Sequence, residues 1–205
     1  THAGISVGED GATHQCNEDI SLMRTIPGMV VINPCDDVEA RAAVKAAYEY
    51  DGPCYLRFGR LAVPVINDEA TYKFEIGKGV ELRSGKDITI FATGLCVSET
   101  LVAADKLAAE GIDAQVINIH TIKPIDEELV VKAAAATGRV FTVEEHSIIG
   151  GLGSAVAEVL AEKCPTKLTR IGVRDTFGES GPAKELLKKY KLDADGIYEQ
   201  IKEAM

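Results

Sequence analysis

The chain has 205 residues, 46% of them hydrophobic and 26% charged, with 32 Asp and Glu against 22 Lys and Arg. That is room for one large or two small soluble domains, and a net charge of −10 sets it at long range against nucleic acid and anionic membrane as main partners. No apolar run approaches the roughly 18 residues of a membrane span and no signal-like segment opens the chain, which makes the cytoplasm the expected compartment. Cys16, Cys35, Cys54, Cys96 and Cys164 are odd in number and far apart. They read as free thiols, with Cys54 and Cys96 as small core residues and Cys16 as a packing residue for which a reactive thiol is the alternative.

Taken in chain order, the first 15 residues are a polar segment, and apolar runs begin near residue 28. Val30-Val31-Ile32 is a buried-strand signal ended by Pro34, and Asp36-Asp37 caps a helix over Val38 to Tyr50, stopped by Gly52-Pro53. Cys54 to Phe58 is a second strand that delivers Gly59-Arg60 to the carboxyl end of a parallel sheet. Leu61 to Glu75 carries Pro64, Asn67 and Asp68 with weak periodicity and reads as a linker. Beyond it, strands are expected at Ile88–Ala92, Ala114–Ile119, Val140–Val143 and Leu168–Val173. Helices are expected at Val97–Glu110, Asp126–Ala136, Gly150–Ala161, Ala183–Tyr190 and Ala194–Glu203, two of them closed by Gly111 and Gly138. Strands joined by such helices need right-handed crossovers, so a parallel, helix-covered sheet follows. The fold class is α/β, with two parallel-sheet domains: residues 1–62, a linker at 63–76, and 77–205.

The chemistry concentrates in residues 1–15, Thr-His-Ala-Gly-Ile-Ser-Val-Gly-Glu-Asp-Gly-Ala-Thr-His-Gln. Gly8 and Gly11 bracket Glu9-Asp10, which lets the backbone turn tightly and approach a ligand, and the imidazoles of His2 and His14 supply proton donors and acceptors near neutral pH. Arg57 and Arg60 close the second strand, where a guanidinium can grip an oxyanion with two bonds. Gly150-Gly151-Leu152-Gly153 precedes a helix as phosphate cradles do, but no Lys-Ser or Lys-Thr follows and the dinucleotide spacing fails. Close helix packing is therefore the better account of these glycines. Glu144, Glu145 and His146 fall at a strand end and read as structural or interfacial.

The opening run resembles the loop of the transketolase family, T-H-D-S-I-G-x-G-E-D-G-P-T-H-Q, with Ala3, Gly4 and Ala12 in place of Asp, Ser and Pro. Thr142 to His146, Gly150 to Ser154 and Asp175 to Gly181 resemble that family's C-terminal domain, so the likeness spans the chain. It implies the later part of a pyrimidine-binding domain, truncated at its N-terminus, followed by a complete C-terminal domain. By resemblance, His14 is the catalytic residue near the reactive thiazolium carbon, His2 and Arg60 bind the substrate phosphate, Asp10 accepts a sugar hydroxyl and Arg57 is a further substrate contact.

The resemblance also implies thiamine diphosphate with Mg or Ca, but the G-D-G…Asn signature that holds metal and diphosphate is missing from this sequence. The glutamate that activates the cofactor would lie before Thr1. The expected activity is transfer of a two-carbon ketol unit between sugar phosphates, by a chain that is inactive until it meets an N-terminal section or subunit. A homodimer through the C-terminal domain is expected. Deoxyxylulose-phosphate synthase, the beta chain of a 2-oxoacid dehydrogenase and a non-catalytic dimerisation module are the alternatives.

Overall fold

A computed structural model describes residues 2–205. A short 3-10 turn, Ile5–Asp10, opens the chain and is followed by α1 (Asp19–Thr25), β1 (Val30–Ile32), α2 (Asp37–Glu49) and β2 (Cys54–Leu56). After a stretch without helix or strand come β3 (Val80–Arg83), β4 (Ile88–Ala92), α3 (Cys96–Ala109), β5 (Ala114–Asn118), β6 (Thr121–Lys123) and α4 (Glu127–Thr137). The chain ends with β7 (Arg139–Ser147), α5 (Leu152–Lys163), β8 (Lys167–Val173), α6 (Ala183–Lys189) and α7 (Ala194–Ala204).

The fold is α/β with two sheets, as the alternation of strand and helix signals requires. In the larger, ordered β3-β5-β4-β7-β8, the four strands β5, β4, β7 and β8 run parallel. β4 is buried along its whole length because helices cover both faces. Its alternation sends Ile88, Ile90 and Ala92 to one core cluster, with Leu107 of α3 and Ile197 and Ile201 of α7, and Phe91 to the other, with Val130 of α4 and Val156 of α5.

Each sheet also carries one antiparallel strand that the apolar runs did not announce. β3 pairs with the outer edge of β5. The smaller sheet is ordered β2-β1-β6: β1 and β2 are parallel, and β6 arrives from the later half of the chain to run antiparallel to β1. α2 starts where the sequence places it, with the Asp36 side chain accepting the Glu39 N–H.

Candidate active-site loop

Residues 2–16 form a closed loop beside the ends of both sheets; Thr1, which opens the motif, lies outside the described residues. Its mouth is tied by backbone bonds from Gly4 N to the Cys16 carbonyl and from Cys16 N to the His2 carbonyl, and Ala3 N binds the Phe58 carbonyl after β2. Inside the loop Gln15 is buried, and its amide donates to the carbonyls of Ile5 at 3.1 Å, Gly8 at 3.4 Å and Glu179 at 2.9 Å. One side chain thus joins both limbs of the loop to the segment before α6.

This folding sets the histidines together. The rings of His2 and His14 stand edge to face with centroids 6.1 Å apart, and Thr13 Oγ1 lies 3.0 Å from His14 Nδ1. Asp10 pairs with Arg60, whose Nη1 also donates to the Val7 carbonyl at 3.4 Å. With side chains 51% and 38% exposed, that ion pair contributes little stability and can be exchanged for a ligand oxygen at small cost. The loop thus exposes two imidazoles and one carboxylate, with the guanidinium of Arg60 paired to that carboxylate from beyond β2, a donor and acceptor set that can meet a hydroxylated anion.

Arg57 is set apart from that group, with its guanidinium bound internally. It is 3% exposed, and its guanidinium donates to Asp19 Oδ2 at 2.9 Å, to the Cys16 carbonyl at 3.0 Å and to the Glu145 carbonyl at 2.9 Å. The neighbouring cation holds the Asp19 carboxyl below its ordinary range against the opposing effect of burial, helped by hydrogen bonds from Arg57 and Tyr55. Arg57 fastens the base of the loop and leaves Arg60 as the arginine facing outward.

Gly8 and Gly11 turn the backbone at positive φ, 85° and 75°, and Gly4 and Gly11 are in addition points of close packing. A Cβ on Gly4 would lie 2.3 Å from Glu145 Cδ, and one on Gly11 would lie 2.3 Å from Ser180 Oγ, so each lets the loop press against the later half of the chain. Both also have positive φ, 75° in each case.

Glu144, Glu145 and His146 are buried inside β7, which runs four residues past the expected strand end at Val143. Glu144 accepts the N–H groups of Leu152 and Gly153 at 2.7 and 2.8 Å, filling the start of α5 with a carboxylate of its own. The glycine-rich turn is thus closed to phosphate, and a Cβ on Gly151 would fall 1.9 Å from Glu144 Oε2. Burial pushes the Glu144 carboxyl up to about 7. His146 donates from Nδ1 to the Ser147 carbonyl at 2.7 Å, and burial pushes it down to about 4, so it is neutral.

Residues 1–65 match the family described as Transketolase, pyrimidine binding domain, and residues 77–197 match Transketolase, C-terminal domain. This chain belongs to the transketolase family. It is 52% identical, over its whole length, to a protein of Methanocaldococcus jannaschii named for a transketolase C-terminal section, and spans 65% of that relative. A 6-deoxy-6-sulfo-D-fructose transketolase subunit of Clostridium sp. strain MSTE9 is 49% identical over 95% of this chain and 60% of its own length. The 1-deoxy-D-xylulose-5-phosphate synthase of Syntrophotalea carbinolica is 41% identical over 98% of this chain but only 32% of the synthase. A solved structure titled as a split-gene transketolase, inactive beta4 tetramer, superposes with a TM-score of 0.91 at 48% identity, covering 99% of this chain and 64% of that one. The chain therefore corresponds to the later part of longer family members, which use thiamine diphosphate.

The exposed His2, Asp10, His14 and Arg60 are hydrogen-bonding groups of the kind a polar ligand could meet. The start of α5, the one glycine-rich helix start singled out from the sequence, is already filled by Glu144.

Proposed function

We propose that this chain supplies the substrate-contact part of a thiamine diphosphate-dependent transketolase, and that an N-terminal section or subunit supplies the metal, the diphosphate site and the activating glutamate. The observation that carries the reading is the pairing of His2 with His14 within the loop, and of the loop's Asp10 with Arg60 after β2, in a family member. The cofactor, when bound, stabilises the carbanion equivalent of a two-carbon ketol unit.

His14 donates a hydrogen bond or a proton to the substrate carbonyl oxygen as charge develops there. Asp10 accepts a sugar hydroxyl, and Arg60 and His2 bind the terminal phosphate. Binding replaces the Asp10–Arg60 pair by contacts to substrate, so the loop is held in shape beforehand. The two family matches support a division into residues 1–62, a linker at 63–76 and residues 77–205. The solved relative's tetrameric title supports self-association of this chain, for which we assign a homodimer through the later half. Mg or Ca is assigned to the partner section, and the cytoplasm to the assembled enzyme.

The test is reconstitution. The isolated chain is expected to show no ketol transfer, and mixing with an N-terminal section is expected to restore it in the presence of thiamine diphosphate and Mg²⁺. In that assembly Arg60→Ala raises KM for phosphorylated acceptors far more than for unphosphorylated ones, whereas His14→Ala lowers kcat. Equal penalties on the two acceptors would remove the phosphate role. The match to synthases over 98% of the chain keeps a second reaction in the assay: consumption of pyruvate with glyceraldehyde phosphate, in place of ketol transfer, would assign a deoxyxylulose-phosphate synthase.

A further inference from the structure

The larger sheet reverses its strand order at β4, with β5 on one side and β7 then β8 on the other. Open parallel sheets usually take their ligands in the crevice at the carboxyl ends of the strands flanking such a reversal. In this protein the chain's own loop enters that region. Ile5 is fully buried in the cluster that holds Ala92 and Val173, the last residues of β4 and β8, and Val143 in the middle of β7. Val143 is the last residue of β7 in register with β4, opposite Ala92, and Glu145 follows two positions on.

Glu145 is 3% exposed, and its Oε1 accepts the backbone N–H of Ser6. The carboxylate sits in the notch that Gly4 leaves by having no side chain. Arg57 reaches the same point from β2, binding the Glu145 and Cys16 carbonyls together, and the Arg57 cation partly offsets the rise that burial imposes on the Glu145 carboxyl. The other limb of the loop has a separate anchor in Gln15, bound to the Glu179 carbonyl.

We propose that Glu145 is the positioning residue of the histidine loop: by accepting the Ser6 N–H in the notch at Gly4, it fixes the limb that carries His2 relative to the limb that carries Asp10 and His14. The later half of the chain is then the mould against which the substrate-contact loop is cast. The catalytic meaning of this role rests on the proposed ketol transfer; the positioning itself does not. A backbone N–H deprived of its acceptor inside a closed cluster must either stay unsatisfied or move, and movement at Ser6 would load the bonds between His2, Gly4 and Cys16 that hold the two limbs together.

Glu145→Met and Glu145→Gln separate the acceptor from the space it fills, since both side chains are close to glutamate in size and only glutamine can accept. Hydrogen exchange of the full-length chain, followed over residues 3–8 and over β4, is the first readout. Glu145→Met is expected to speed exchange in residues 3–8 by about tenfold or more while β4 keeps its protection, and Glu145→Gln to stay close to the parent. In the reconstituted assembly, kcat is expected to fall by about tenfold for Glu145→Met, with recovery in Glu145→Gln.

Unchanged exchange in Glu145→Met, equal damage from both substitutions, or loss of β4 protection along with the loop would each overturn the proposal. If the parent assembly carries out no ketol transfer, the functional reading fails and the exchange comparison still decides the positioning.

Discussion

Glu144 and His146 make opposite contributions to the pH dependence of stability, and removing either one exposes the other. Glu144, ordinarily near 4.5, is pushed up to about 7 by burial, so between those values the folded chain holds a proton that the unfolded chain has released. Stability falls with rising pH across that window. His146, ordinarily near 6.5, is pushed down to about 4 by burial, so between those values the unfolded chain holds the extra proton and stability rises with pH. At 1.36 kcal/mol per pH unit each span amounts to about 3 kcal/mol, and where the two overlap the proton counts cancel.

The groups are neighbours, with His146 Nδ1 3.7 Å from Glu144 Oε2. Glu144→Gln imitates the protonated acid, so relative to the parent its stability should climb by about 3 kcal/mol between pH 4.5 and 7. His146→Gln should lose about 3 kcal/mol relative to the parent between pH 4 and 6.5. Urea unfolding at fixed protein concentration across pH 4–8, read as differences from the parent at equal m-value, measures both. Curves that run parallel to the parent for both variants would refute the reasoning.

Three further outcomes follow from contacts at the loop and at the start of α5. Arg57→Met leaves Asp19 buried without its cation and should lower the free energy of urea unfolding by about 3–5 kcal/mol. Because Asp19 is held below its ordinary range, that penalty should shrink as acid protonates it. Gly11→Ala meets both a φ of 75° and Ser180 Oγ at 2.3 Å; it should cost about 1–3 kcal/mol in thermal unfolding, with Ser180→Gly returning only the steric share. Gly151→Ala should displace the Glu144 carboxylate from the start of α5, seen as faster amide exchange at Leu152 and Gly153 with β4 unaffected.

What could be read in advance was whatever depends on near neighbours in the chain. The Asp36 cap, the helix after it and the parallel strands of the larger sheet all rest on local periodicity and punctuation. β3 and β6 have four and three residues, and they are strands only because β5 and β1 lie beside them. The same limit explains Glu144-Glu145-His146, which looks like the polar end of a strand. The groups that permit their burial, the α5 N–H groups, Ser6 and Arg57, are gathered by the fold.

Two arginines three positions apart after an apolar run gave no sign of which would turn inward, and only the position of Asp19 distinguishes Arg57 from Arg60. A signal was present in the loop glycines: a run that must press closely on something can press on protein as readily as on a ligand.

β6 gives the two halves of the molecule a common fate. It lies between β5 and α4 in sequence yet completes the sheet of the first half, where Ile122 packs with Val31 and Ile20. Cleavage between residues 61 and 79 should therefore leave fragments associated through β1 and β6. A graft of residues 77–205 onto another scaffold would export a strand whose partner stays behind. Recombination between family members across that stretch should succeed only when β1 and β6 travel together.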